Sequence, residues 1–144
     1  MDLQTLPDHL ILALTILGEA RGEPVEGQIA VANVVRNRQR DRRPLRVRDV
    51  CLARRQFSCW NPSDPNRALL ETLAAEYDPA AAVRPELRQA LWIADGVIAG
   101  ALEDNTKGAT HYLTTQLLRQ RPPVWAINQP VLVRIGRHAF LKVV

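Results

Sequence analysis

With 144 residues, 47% hydrophobic and 24% charged, the chain is long enough to bury its own core and too apolar to be disordered. No apolar run approaches the roughly 20 residues that span a bilayer, so no stable membrane insertion is expected. The net charge of +4, with only two lysines among 19 basic residues, suits a polyanion, nucleic acid or an anionic wall, and solubility alone accounts for it as well.

The opening stretch MDLQTLPDHLILALTILGEA has no Lys or Arg ahead of its apolar part and carries Asp2, Pro7 and Asp8. It reads as a helix start rather than a secretory signal, and places synthesis and folding in the cytoplasm. A first helix is expected over Pro7–Arg21, with Leu12, Ile16 and Glu19 on one face at i, i+4, i+7. Gly22-Glu23-Pro24 breaks it, because Glu23 precedes a proline and is biased out of the helical region. Pro24 and Glu26 then open a second helix that runs to about Arg40. Val25, Ile29 and Ala32 form its apolar line, widened by Val31, Val34 and Val35, while Asn33, Asn37 and Arg40 make a polar stripe on the other side.

RDRRPLRVRD reads as a basic loop around Pro44, followed by a short helix and a loop through QFSCWNPSDPN. Further helices are expected over Asn66–Tyr77 and Pro85–Leu102, the second with Leu87, Leu91, Ala94 and Ile98 on one face. Beyond Asn105 the texture changes. KGATHYLT is β-prone at Thr110–Tyr112, QRPPVWA is a Pro-rich loop, and VLVRIGRHAFLKVV holds two apolar pieces either side of Gly136, the pattern of a hairpin. The expected fold is mainly α (α+β), one domain over residues 1–144 with a small C-terminal β element.

Glu19 is the residue with chemistry in it. It sits at a helix C-terminus among apolar neighbours, and both settings oppose ionisation, as in a general acid. A solvated carboxylate on a frayed helix end, paired with Arg21 or Arg43, is the alternative. The scarce aromatics cluster on loops, Phe57 and Trp60 in one, Tyr112 and Trp125 flanking another, a placement that suits the C–H faces of sugar rings as well as the capping of a core. His111 and His138 belong to no metal or triad motif and read as structural. Cys51 and Cys59 lack zinc spacing and read as free core thiols; no cofactor is expected.

In order, the blocks GEARGEPVEGQIAVANVVRNR, QFSCW, GATHYL, PVWA and IGRHAF resemble the signature segments of the cell-wall hydrolases related to the spore cortex-lytic enzyme. The resemblance covers nearly the whole chain. It implies a lysozyme-like helical domain that cleaves peptidoglycan glycan strands between N-acetylmuramic acid and N-acetylglucosamine, as a lytic transglycosylase leaving a 1,6-anhydro end. The family's catalytic glutamate maps onto Glu19. One acid suffices in such a reaction, because the sugar's own 6-hydroxyl attacks and no water need be activated by a second carboxylate.

The same resemblance suggests supporting roles. Gln28 and Asn33 would hold glycan or orient Glu19; Ser58, Thr110 and Tyr112 would bind N-acetyl groups or stabilise the attacking hydroxyl. Phe57, Trp60 and Trp125 would stack on sugars, and His111 and His138 would brace the β element. The chain departs from the family where Leu113-Thr114 follows the THY tyrosine and where HAFLK lacks a second aromatic. A bare, Arg-rich catalytic domain resembles a bacteriophage endolysin, a monomer held in the host cytoplasm until the membrane is breached. Two rival readings remain. A water-using muramidase would draw its base from Glu23, Glu26, Glu103 or Asp104. A nucleic-acid module, not expected here, would use Arg36, Arg38, Arg40, Arg42, Arg43, Arg46 and Arg48.

Overall fold

The structure is a computed structural model and describes residues 2–42, 45–54 and 56–143. The loop expected around Pro44 and the roles considered for Arg43 therefore lie outside the described residues.

Helix α1 (Asp8–Ala20) is the axis of the fold. Its Leu10, Ile11, Leu12, Ala13, Leu14 and Ile16 are all fully buried, so it is apolar on every side rather than along one face. A helix of that kind must be surrounded. It packs against α5 (Pro85–Ile98), α3 (Val47–Leu52), α2 (Val25–Asp41) and α4 (Asn66–Glu76). Helix α5 stops short of the expected Leu102. Gly100 turns left-handed at φ 77°, and the N–H groups of Ala101 and Leu102 fold back onto the Gly96 carbonyl. Leu102 can close over that turn because Gly96 has no side chain to meet it.

The stripe of Asn33, Asn37 and Arg40 on α2 is not a solvent face as a whole. Asn33 and Asn37 are buried, and only Arg40 is exposed. Asn37 Nδ2 donates to Asp104 Oδ2 and to the Ala109 carbonyl, both at 2.9 Å, and Asn33 Nδ2 donates to the carbonyls of Ile29 and Glu103. These amides pin the 103–110 connection across α2 and so set where the following strand begins.

The sheet has three antiparallel strands in the order β1 (His111–Thr114), β3 (His138–Leu141), β2 (Val131–Ile135). Tyr112 stands opposite Phe140 and Thr114 opposite His138. The β2–β3 hairpin turns at Gly136, where φ is 58°. Between β1 and β2 lies a short helix not expected from the sequence, α6 (Thr115–Gln120), whose N-cap Thr114 accepts the Leu117 N–H. Among the described residues no helix is long and apolar enough to cross a membrane.

Candidate active site

Glu19 occupies the last turn of α1 and is half-buried. Burial raises its pKa. The main-chain N–H of Cys59 opposes that shift, the charge of Asp64 adds to it, and the N–H of Ser58 opposes it; the balance leaves the carboxyl above its ordinary value. Both N–H groups come from a one-turn 3₁₀ helix, Ser58–Trp60. That turn lies flat on α1 because residue 18 is glycine: a Cβ there would stand 2.5 Å from Cys59 Cβ. The turn is clamped from below as well, since Trp60 Nε1 donates to Thr15 Oγ1 at 2.9 Å.

Glu19 opens into a cleft of about 470 Å³. Phe57, Ser58 and Asn61 line it from the loop between α3 and α4, His111 and Tyr112 from β1, and Trp125 from the Pro-rich loop. Arg38 and Gln56 complete the lining. Among the described residues Glu19 is the one carboxylate in it.

Tyr112 is held between the rings of His138 (centroids 5.2 Å) and Phe140 (5.8 Å). Burial and then the nearby Glu19 charge push its phenol well above the usual range, so it stays a neutral donor. The His111 ring lies against Trp125 at 5.0 Å, with Nδ1 2.9 Å from Thr110 Oγ1. Burial, with the charges of Arg38 and Arg42, pushes His111 down to about 4, which makes it a neutral imidazole near pH 7. His111 therefore borders the cleft as well as belonging to the β element. His138 braces: its Nδ1 is 2.6 Å from Glu23 Oε1.

Of the residues expected to serve the site, the structure brings Glu19, Phe57, Ser58, Tyr112 and Trp125 together. Four others are placed elsewhere. Gln28 is buried and donates from Nε2 to the Glu23 carbonyl, holding the α1–α2 break. Asn33 faces the 103–110 connection as described. Trp60 is in the core, with its N–H on Thr15 and no face left for a sugar. Thr110 is buried behind His111, and its hydroxyl also accepts the Val143 N–H at 3.0 Å. Even Phe57 is only 2% exposed, with the Arg38 guanidinium 5.3 Å from its ring centroid.

Arg38, Gln56, Asn61 and His111 line the cleft although sequence reasoning gave them no part in it. Arg38 had a signal: it extends the buried line of Val31 and Val35 by one more helical turn, where a solvated arginine does not belong. It donates from Nε to the Thr110 carbonyl and from a terminal nitrogen to Gln56 Oε1 at 3.1 Å. Gln56 and Asn61 sit in irregular backbone, with no periodicity to mark them.

The acids considered as a second catalytic base do not reach the cleft. Glu23 is 7% exposed; burial opposes its charge, but the main-chain and guanidinium N–H groups of Arg137, with His138, outweigh that and hold it below the ordinary range. Asp104 likewise sits below its ordinary value, its burial outweighed by bonds from Thr106, Asn37 and Gly108. Glu26 and Glu103 are exposed. Cys51 and Cys59 are free and buried, and burial pushes the Cys51 thiol up to about 12. The basic run is dispersed: Arg38 is in the cleft, Arg46 pairs with Asp8, and Arg48 donates to the Leu6 carbonyl.

A profile of the family described as Cell Wall Hydrolase matches residues 22–141. The chain belongs to that family. It is 28% identical over 135 residues to the spore cortex-lytic enzyme of Halalkalibacterium halodurans. That match takes in 92% of this chain and 34% of the relative, so the chain spans about a third of the curated relative's length. Among solved structures, the catalytic domain of the germination-specific lytic transglycosylase SleB from Bacillus anthracis superposes with a TM-score of 0.63 at 26% identity, covering 94% of this chain and 93% of that one. The catalytic domain of the Bacillus cereus SleB protein also gives 0.63, at 25% identity, over 94% of this chain and 89% of that one. The lysozyme-like α+β architecture expected from the sequence is thus the observed one, matched over almost the full length of a catalytic domain.

Proposed function

We propose that this domain cuts the glycan strand of peptidoglycan between N-acetylmuramic acid and N-acetylglucosamine, as a lytic transglycosylase, with Glu19 as its general acid and then its base. The observation that carries the reading is the setting of Glu19: a half-buried carboxyl with a raised pKa, the one carboxylate among the described residues that line the cleft, in a chain of the cell-wall hydrolase family. Glu19 gives its proton to the leaving glycosidic oxygen, and the carboxylate so formed takes the proton of the muramic 6-hydroxyl as that oxygen closes on the anomeric carbon. The neutral Tyr112 phenol is a donor on the same wall, and the partly exposed Trp125 supplies a ring for a sugar face. A shifted carboxyl of this kind contributes about 10²–10⁴-fold, and orientation within the cleft supplies the rest.

Two measurements test the proposal. Glu19→Gln keeps the shape and removes the titrating proton, and clearing of purified walls is expected to fall by about 10²-fold or more. Mass spectrometry of the released fragments is expected to show anhydro ends. Reducing ends would instead favour water attack. Asp64, whose charge Glu19 feels, is the acid to test next in that case. The proposal extends to a lysin acting from within a phage-infected cell; lysis of cells only after the membrane is permeabilised is the expected behaviour.

A further inference from the structure

Beside the catalytic cleft is a second hollow of about 320 Å³, and the two share Arg38 and His111. Its other charged side chains are Arg42 and Lys142, with one acid, Asp41, giving three cations to one anion. Arg38 is 7% exposed, and the acceptors of its hydrogen bonds among the described residues, the Thr110 carbonyl and the Gln56 amide oxygen, are both neutral. Among the described residues no carboxylate stands within ion-pair distance of it, while Arg42 adds a like charge. A cation at this depth ordinarily has an anionic partner, because its lost hydration must be replaced. Arg42 and Lys142 are exposed, so the hollow is open to a ligand.

We infer that this hollow receives a carboxylate carried by the muramic acid residue bound in the cleft, with Arg38 at its inner end and Arg42 and Lys142 at its mouth. The inference rests on the glycan reading above. Muramic acid differs from its partner sugar by the lactyl ether on its third carbon, which ends in a carboxylate on a naked strand and in a stem peptide otherwise. That peptide carries its own carboxylate at the second residue. Either acid would give Arg38 a counter-charge that no carboxylate among the described residues supplies, and would tell a muramic unit from a glucosamine unit at this position. A strand whose lactyl acid is masked in a neutral form would lose the contact.

The test uses Glu19→Gln protein, so that nothing turns over, and follows amide shifts by NMR with three probes. These are the glucosaminyl–muramic disaccharide with a free lactyl acid, the same disaccharide as its neutral lactyl amide, and the disaccharide bearing an L-alanyl-D-glutamate dipeptide. Shifts at Ser58 and Tyr112 report the cleft; shifts at Thr110 and Val143 report the hollow. One or both acids are expected to bind about tenfold more tightly than the amide, with the hollow signals moving only for the acids. Preference for the first acid identifies the lactyl group as the source, and preference for the dipeptide identifies the stem. Arg42→Gln/Lys142→Gln, two exposed positions that leave the core untouched, is expected to remove most of that difference. Arg38→Lys, which keeps the charge, is expected to retain part of it. Equal binding of amide and acids, or an unchanged preference in the double variant, overturns the inference while leaving the glycan reading intact. Cleft shifts from none of the three probes overturn both.

Discussion

Glu19, in the last turn of α1, and Glu23, in the break that follows it, belong to the same GEARGE block and are driven in opposite directions. Glu19 faces an open cleft with little to bond but two main-chain N–H groups, and burial wins. Glu23 meets Arg137 and His138 at 3.2 and 2.6 Å, and bonding wins over burial. The first difference fixes the sign of the pH profile. The proposed mechanism needs Glu19 protonated in its first step, so it predicts that kcat falls as pH rises through the raised pKa, while His111, pushed down to about 4, adds no titration near neutrality. Stability follows the same proton. A carboxyl with a raised folded pKa holds more protons folded than unfolded, so its contribution declines as pH rises from the unfolded value through the folded one. Glu19→Gln is accordingly expected to melt higher than the wild type at pH 7, the excess vanishing in acid; thermal unfolding at both pH values checks it. For Glu23 the sign reverses. Its lowered pKa gives stability that is present above 4.5 and lost as pH falls through the folded value. Glu23→Gln should cost about 1–3 kcal/mol at neutral pH in denaturant titration, and much less in acid strong enough to protonate the wild-type side chain.

At the scale of elements, the setting of Glu19 depends on a helix and a single 3₁₀ turn lying in contact. Gly18→Ala would put a methyl where Cys59 already is, 2.5 Å from its Cβ. Helix α1 is enclosed by four others, so the turn is what must lift, carrying the Ser58 and Cys59 N–H groups away from Glu19. The expected result is a loss of about 1–3 kcal/mol from overpacking and a drop in kcat of about tenfold or more with KM changed less, read by thermal melts beside steady-state kinetics. Nothing in the sequence pattern marks Gly18 for this, because the contact spans some forty residues of chain. The helices themselves were legible, since α1, α2, α4 and α5 each run long enough for apolar periodicity to show. Helix α6 was not, at six residues with no buried side chain; its only mark is the Thr114 cap. On α2 the pattern separated polar from apolar positions correctly, yet could not say that the 103–110 connection would cover Asn33 and Asn37. Glu19 could be read because an acid closing an apolar helix is anomalous wherever it occurs. Trp60 misled because an indole in a loop looks the same whether its N–H meets a sugar or Thr15.

Over the whole molecule, the helical part brings Glu19 to the cleft and the sheet brings His111 and Tyr112, the two parts joined near the α1–α2 break by the Glu23–His138 contact. The charge belongs to this scale too. Arg40, Arg42 and Arg46 are exposed near the end of α2, with Arg46 engaged with Asp8, so beyond the hollow beside the cleft these cations give a diffuse positive field. A diffuse field speeds encounter with a polyanion and does little for a neutral substrate once bound. Its reach is set by salt: the screening length shrinks from about 30 Å at 0.01 M to about 8 Å at 0.15 M. Clearing of intact walls at low wall concentration is therefore expected to slow by about tenfold over that range. Turnover of a short muramic-containing glycan whose lactyl acids are neutral amides should stay nearly constant because no long-range attraction delivers it. Measuring both rates across the same salt series separates capture from chemistry. Equal salt sensitivity in the two would place the cations at the bond being cut, and insensitivity in both would mean that wall capture rests on the shape of the cleft alone.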